Sequence, residues 1–182
     1  RLMVIDDLAD RNYQCDILLD QTFGRDITDY INRTPSNCQS LVSSRYALLR
    51  PEFADLRLES LARRKHPKLN HLLINMGGID VTNMTEIILD HLKISDLKKE
   101  LNITIIMGEN SPHLQRVRNK ASEMQQKTKV MVGVTNMAQI MTSADIAIGA
   151  SGSTTWERCC LGLPTIQLAI STNQEYLAQI LH

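Results

Sequence analysis

Apolar residues in the second half of the chain gather in short runs, and between the runs they recur at helical spacing. The run at 71–76, closed by Gly77-Gly78, predicts a buried strand, after which Asp80 can cap a helix carrying Ile87, Ile88, Leu89 and Leu92. Residues 102–107, rich in β-branched side chains and stopped by Gly108, predict a second strand. Ser111-Pro112 then opens a helix to about Gln126, with proline where its missing N–H costs nothing. A third strand follows at 130–134, and Thr135 or Asn136 caps a short helix over 137–142. A fourth strand at 146–150 runs into Ser151-Gly152-Ser153-Thr154 and a helix through Leu161, which Gly162-Leu163-Pro164 stops. Residues 165–168 form a fifth strand, and a last helix begins near Asn173. Near-continuous apolar strands alternating with helices predict a doubly wound α/β domain: a parallel sheet with helices on both faces.

The first part of the chain is less regular. Residues 2–5 predict a strand leading to Asp6-Asp7, and 17–19 another ending at Asp20; 47–49 are apolar and precede Arg50-Pro51-Glu52-Phe53. Residues 57–69, with Arg63-Arg64-Lys65 and Pro67, suit an exposed linker. The segment 1–56 is too short for a core of its own and is expected to be the C-terminal part of a truncated Rossmann-like N-terminal domain. Residues 70–182 would then be a second Rossmann-like domain, itself cut short at its C-terminal end.

Composition narrows the function classes. Of 182 residues, 43% are hydrophobic and 22% charged, and 20 Lys plus Arg offset 20 Asp plus Glu, as in a soluble globular protein. With no net charge there is no broad basic field for nucleic acid or anionic lipid, so neither is expected as a partner. The charge-free run 159–174 is broken by Gly162 and Pro164, so no membrane helix is expected. The four cysteines, Cys15, Cys38, Cys159 and Cys160, lack CxxC spacing and read as reduced thiols of a cytoplasmic protein. The five histidines show no metal-ligand spacing, and the eight methionines read as packing. Neither GxGxxG nor GxxxxGK[ST] occurs, so NAD and ATP sites lose support and no cofactor or metal is expected.

In open parallel sheets, ligands bind beyond the carboxyl ends of the strands. Gly77-Gly78 lies at one such end, where it either lets backbone amides approach a phosphate or simply makes a strand-to-helix turn. Ser151-Gly152-Ser153-Thr154 lies at another. Its amides and hydroxyls could converge on a diphosphate while Glu157, about one turn on, accepts from vicinal ribose hydroxyls. A Ser/Thr cap with Glu157 as its capping-box partner fits those residues equally well. Asn173-Gln174 could read sugar hydroxyls, or Asn173 could cap a helix. Asp6-Asp7 with Asp20 could activate water, or cap.

The run Gly133-Val134-Thr135-Asn136-Met137-Ala138, with Ser143-Ala144-Asp145, Ser151 to Glu157, Gly162-Leu163-Pro164 and Asn173-Gln174, resembles the nucleotide-binding half of MurG-like GT-B proteins. Val4-Ile5-Asp6-Asp7-Leu8-Ala9-Asp10-Arg11, Tyr46-Ala47-Leu48-Leu49-Arg50-Pro51-Glu52-Phe53 and Gly77-Gly78-Ile79-Asp80 are similar to the UDP-sugar hydrolases of pseudaminic acid biosynthesis, the PseG type. The resemblance implies metal-independent attack of water on the anomeric carbon of UDP-2,4-diacetamido-2,4,6-trideoxy-β-L-altropyranose, giving free sugar and UDP. It implies that 70–182 binds UDP through Gly77, Gly78, the Val134 backbone, Ser151, Gly152, Ser153, Thr154 and Glu157, and the sugar through Asn173 and Gln174. The general base it implies is a histidine on a glycine-rich loop that no residue here matches. That leaves the catalytic residue unassigned, in a chain expected to be a monomer. A MurG-like glycosyltransferase or a non-catalytic nucleotide-sugar binding module would share the same motifs.

Overall fold

The computed structural model describes residues 1–181, the side chains of Asn173 and Tyr176 excepted. The chain forms two compact units, one of Arg50–Glu175 and one of Arg1–Leu49 joined by the residues from Tyr176 onward.

The larger unit is the expected doubly wound α/β domain. Strands β1 (Met3–Asp6), β2 (Ile17–Asp20) and β3 (Gln39–Val42) belong to the smaller unit, and α1 (Pro51–Arg63) opens the larger. Then follow β4 (His71–Asn75), α2 (Met84–Ile94), β5 (Asn102–Met107), α3 (Leu114–Ser122), β6 (Lys127–Val132), α4 (Met137–Ser143), β7 (Ile146–Ala150), α5 (Thr154–Cys160), β8 (Thr165–Leu168) and α6 (Thr172–Ile180). The five strands lie in the order β6-β5-β4-β7-β8, every neighbouring pair parallel. The chain therefore starts at the centre, winds outward through β5 and β6, and returns to the other side of β4 with β7. Between β4 and β7 the winding reverses, and there the loops diverge to leave a crevice.

Alternate residues explain the unbroken apolar runs. Leu72, Ile74, Ile103, Ile105, Met107, Ile148 and Ala150 form one core cluster with Ile88 and Leu89 of α2 and Val117 and Ala121 of α3. Their neighbours Leu73, Ile106 and Ala147 point to the opposite face and are buried there. Both faces being covered, the inner strands β4, β5 and β7 read as nearly continuous apolar runs.

Three boundaries differ from the sequence reading, each for a physical reason. Strand β6 begins at Lys127, because an edge strand tolerates solvent-facing Lys127 and Lys129, and it ends before Gly133-Val134. Helix α3 starts at Leu114, since Ser111 and Pro112 form a turn in which Ser111 Oγ donates to Ile79 O at 2.9 Å. Largest of the three is the segment read as a linker, much of which is helix α1, with the unit boundary at Leu49/Arg50. Pro51 takes the first helical position, and Phe53 and Ser60 are fully buried. Along α1, Ser60 Oγ donates to Leu161 O at 2.7 Å, Arg64 Nη2 to Met141 O at 3.0 Å and Arg63 Nη1 to Ala144 O at 3.0 Å, and Arg57 donates to Cys160 O. These acceptors are carbonyls that α4 and α5 leave unpaired at their C-termini. The basic residues that made 57–69 look exposed are what docks it, and cations suit that end of a helix.

Gly162 ends α5 as the sequence suggests. At φ +61 its N–H donates to Cys159 O (3.1 Å) while Leu163 N–H reaches Arg158 O (2.9 Å), the paired bonds of a Schellman turn. A Cβ there would also stand 2.6 Å from Leu61 of α1.

In the smaller unit β1, β2 and β3 are parallel in that order. Strand β3, unforeseen, is an edge strand with little apolar content and Gln39 exposed. Leu18, Cys15, Ala9 and Tyr30 form the local core.

Candidate functional site

The carboxyl ends of β4 and β7 adjoin, with Asn75 opposite Gly149 in register. From β4 the chain enters Gly77, at φ +90, and Gly78; a Cβ on either would meet nothing within 4 Å. The space beside both is thus clear for a ligand, while the Gly77 N–H donates to Asn75 Oδ1 at 3.3 Å and Gly78 O accepts the Gly108 N–H at 2.9 Å. The first amides of α2 are not open. Asp80, 4% exposed, accepts from the N–H groups of Met84 and Thr85, each at 2.9 Å. The cap expected of Asp80 forms, and it consumes the donors that a phosphate would have used.

From β7 the chain enters Ser151, 1% exposed, whose Oγ has no hydrogen-bond partner among the described residues. Gly152 again has open space where a Cβ would stand. Ser153 precedes α5 without making a side-chain cap, so the capping-box alternative is not what these residues form. Gly77-Gly78 and Ser151-Gly152 therefore flank the reversal point, with three unencumbered glycines and a buried hydroxyl without a partner.

Glu157 and Val134 come together through Arg50, which the sequence reading did not single out. Arg50 stacks on Phe53 with its Cζ 5.3 Å from the ring centroid, donates to Thr135 O at 3.3 Å, and approaches Glu157 Oε1 at 3.8 Å. The loop carrying Val134 and the carboxylate of Glu157 thus border one surface. Burial raises the Glu157 pKa; the positive charges of Arg50 and Arg158 oppose the rise, and Glu52 adds to it. Signals for Arg50 existed: an arginine just before a helix-starting proline, three residues from a phenylalanine.

The other candidates separate from these. Gln174 Oε1 accepts the Ile170 N–H at 3.1 Å, a cap on the loop after β8, and the side chain of Asn173 lies outside the described residues. In the smaller unit, Asp6 and Asp20 are engaged already. Asp6 accepts from Ala9 N–H (2.8 Å) and Tyr13 (2.8 Å), Asp20 from Thr22 N–H (2.8 Å) and Arg25 (3.0 Å), and the one Tyr30 hydroxyl proton is shared between Asp6 Oδ2 (2.8 Å) and Asp20 Oδ2 (2.7 Å). So many donors hold both carboxylates as structural anchors, and at Asp6 they keep the carboxyl below its usual range and so weaken it as a base. His71 bridges Ser143 O and Thr104 Oγ1 within the sheet. Among the described residues no three His, Cys, Asp or Glu could hold a metal ion, and no helix is long and apolar enough to cross a membrane.

Comparison with known proteins bears on what this crevice serves. Residues 72–181, from β4 through α6, match the model of the glycosyltransferase family 28 C-terminal domain. The chain belongs to that family. Its family 28 domain is accompanied by wider similarity. An uncharacterised protein of Methanocaldococcus jannaschii is 31% identical over 126 residues, 68% of this chain and 26% of that one. The spore coat polysaccharide biosynthesis protein SpsG of Bacillus subtilis is 27% identical over 135 residues, 74% of this chain and 38% of that one. The UDP-N-acetylglucosamine–N-acetylmuramyl-(pentapeptide) pyrophosphoryl-undecaprenol N-acetylglucosamine transferase of Sulfurovum is 34% identical over 95 residues, 50% of this chain and 28% of that one. The chain thus spans between about a quarter and two fifths of these relatives' lengths. The crystal structure of MurG from Acinetobacter baumannii shares the fold at TM-score 0.56 and 17% identity, over 92% of this chain and 44% of that one.

Proposed function

We propose that the family 28 domain binds the UDP part of a nucleotide sugar in the crevice between β4 and β7, and that the protein cleaves the bond between UDP and the sugar's anomeric carbon. The observation that carries this reading is the pairing of clear space beside Gly77-Gly78 with the buried, unpartnered Ser151 hydroxyl across the reversal point. Gly77, Gly78, Ser151, Gly152, Ser153 and Thr154 would border the diphosphate. The Val134 backbone would meet uracil, Glu157 the ribose hydroxyls, and Asn173 with Gln174 the sugar. When the bond breaks, its electron pair leaves on the phosphate oxygen, and preorganised donors aimed at that oxygen lower the barrier.

Within that reading the acceptor is water. Water adds to the anomeric carbon, its proton passes to a general base that none of the assigned residues supplies, and UDP departs from the sugar. The motifs shared with PseG-type hydrolases support water. The similarity to the Sulfurovum transferase supports a second reading, in which a hydroxyl of another molecule takes water's place. Incubating the whole protein with the UDP-diacetamido-trideoxy sugar decides between them: free sugar and UDP in buffer alone establish hydrolysis, and product formed only when an acceptor is added establishes transfer. For the 182-residue chain by itself the expected result is saturable UDP binding by calorimetry and negligible turnover. A chain that binds no UDP sinks the reading.

A further inference from the structure

Arg158 is 2% exposed and makes no ion pair among the described residues. Its guanidinium lies against the seam of β4 and β7: a Cβ on Gly149 would stand 2.5 Å from Nη1 and 3.3 Å from Asn75 O. The missing side chain at Gly149 is therefore the space that Arg158 fills. Burial pulls the guanidinium down to about 10, with the neighbouring Cys159 and Glu157 opposing. What it touches is neutral: Nη2 donates to Ala150 O (2.9 Å) and Thr155 Oγ1 (3.2 Å), Nη1 to Thr154 Oγ1 (3.0 Å), and Nε has no partner.

Two consequences follow from chemistry alone. A buried cation in no ion pair is costly, and the three neutral oxygens it touches do not offset that cost as an anion would. A guanidinium can only donate, so Thr154 and Thr155 are held as acceptors and their hydroxyl protons must point elsewhere. The Thr155 proton goes to Gln167 Oε1 at 3.4 Å, while its oxygen also receives the Gly152 N–H at 3.2 Å. The Thr154 proton has no acceptor among the described residues, and neither does Ser151 Oγ have a partner.

We infer that Arg158 is the positioning residue of an anion subsite. It supplies a buried positive charge that is in no ion pair beside the Ser151–Thr154 loop and turns the Thr154 hydroxyl toward a diphosphate lying against Gly77-Gly78. This rests on the reading of the crevice as a UDP site. The anion completes the charge balance that the folded chain leaves open, and Arg158 works through the loop and its field, without itself reaching the ligand.

The test uses the 182-residue chain, titrated by calorimetry with UDP, uridine and inorganic pyrophosphate. Arg158→Gln keeps two N–H donors and removes the charge; affinity for UDP and pyrophosphate should fall about tenfold or more while uridine binding stays unchanged. Arg158→Lys should recover most of the loss. Gly149→Ala, which leaves the guanidinium present but displaced, should weaken UDP and spare uridine. Equal losses for UDP and uridine, or an Arg158→Gln chain that binds UDP like wild type, overturn the role of Arg158 while leaving the nucleotide site standing. A wild-type chain that binds none of the three overturns the nucleotide reading and this inference with it. Should Arg158→Gln not fold, the wild-type thermal midpoint decides: pyrophosphate should raise it, and no rise overturns the inference.

Discussion

Glu157 sits where burial and positive charge oppose each other, and its candidate role follows from that contest. Burial raises its pKa, yet accepting hydrogen bonds from a ribose requires the ionised carboxylate. Glu157→Gln should weaken UDP binding by about 1–3 kcal/mol at neutral pH through the lost charge-assisted bonds, and unchanged calorimetric affinity would remove Glu157 from the site. The sign of the pH effect follows. As pH falls through the raised pKa, wild-type Glu157 becomes protonated and its advantage over Gln disappears. The ratio of the two affinities should therefore approach one on acidification. Asp6 behaves oppositely. Burial works to raise its carboxyl, but hydrogen bonds from Tyr13, Tyr30 and the Ala9 and Asp7 amides outweigh that and hold it below the usual range. A depressed carboxylate stabilises the fold above its unfolded pKa, and that contribution is lost as pH falls through the folded value. Asp6→Asn should lower stability at pH 7 by about 1–3 kcal/mol and make little difference near pH 2, measured by urea unfolding at each pH. The sequence marks these carboxylates at strand ends. It does not show that the hydroxyl of Tyr30, ten residues beyond Asp20 and in a separate element, lies between the two.

Among the elements, α1 shows how charge can mislead. Arginines at positions 57, 63 and 64 read as solvated, but each donates to a carbonyl near the C-terminus of α4 or α5. Such acceptors are unpaired only because those helices end there, a fact written elsewhere in the chain. Ser60→Ala should cost about 1–2 kcal/mol, since Leu161 O loses a buried donor, and thermal unfolding would show it. Gly162→Ala should cost more than the usual glycine-to-alanine change at an exposed C-cap, because the strained φ and the contact with Leu61 add. A midpoint shift no larger than that of Ser60→Ala would count against this account of the α1–α5 junction. Strands β4, β5 and β7, by contrast, were legible within a residue of their ends, because doubly buried strands leave nearly unbroken apolar runs.

For the molecule as a whole, a ligand that binds only the folded chain raises its stability by mass action. UDP at about a hundred times its dissociation constant should add about 2.7 kcal/mol, read as a rise in the unfolding midpoint that Glu157→Gln reduces. Hydrophobic periodicity along the chain was enough for the fold class of the domain read at 70–182 and for which loops lie at strand ends, because both depend on local pattern and on the rule that parallel strands need helical crossovers. Tertiary structure alone decided the rest. It spent the α2 amides on Asp80, left Ser151 without a partner, set an arginine beside Glu157 and placed a second guanidinium in the space vacated at Gly149. Each of these depends on which distant atoms meet in space, and satisfaction of hydrogen bonds and balance of charge are properties of such meetings that no stretch of sequence carries by itself.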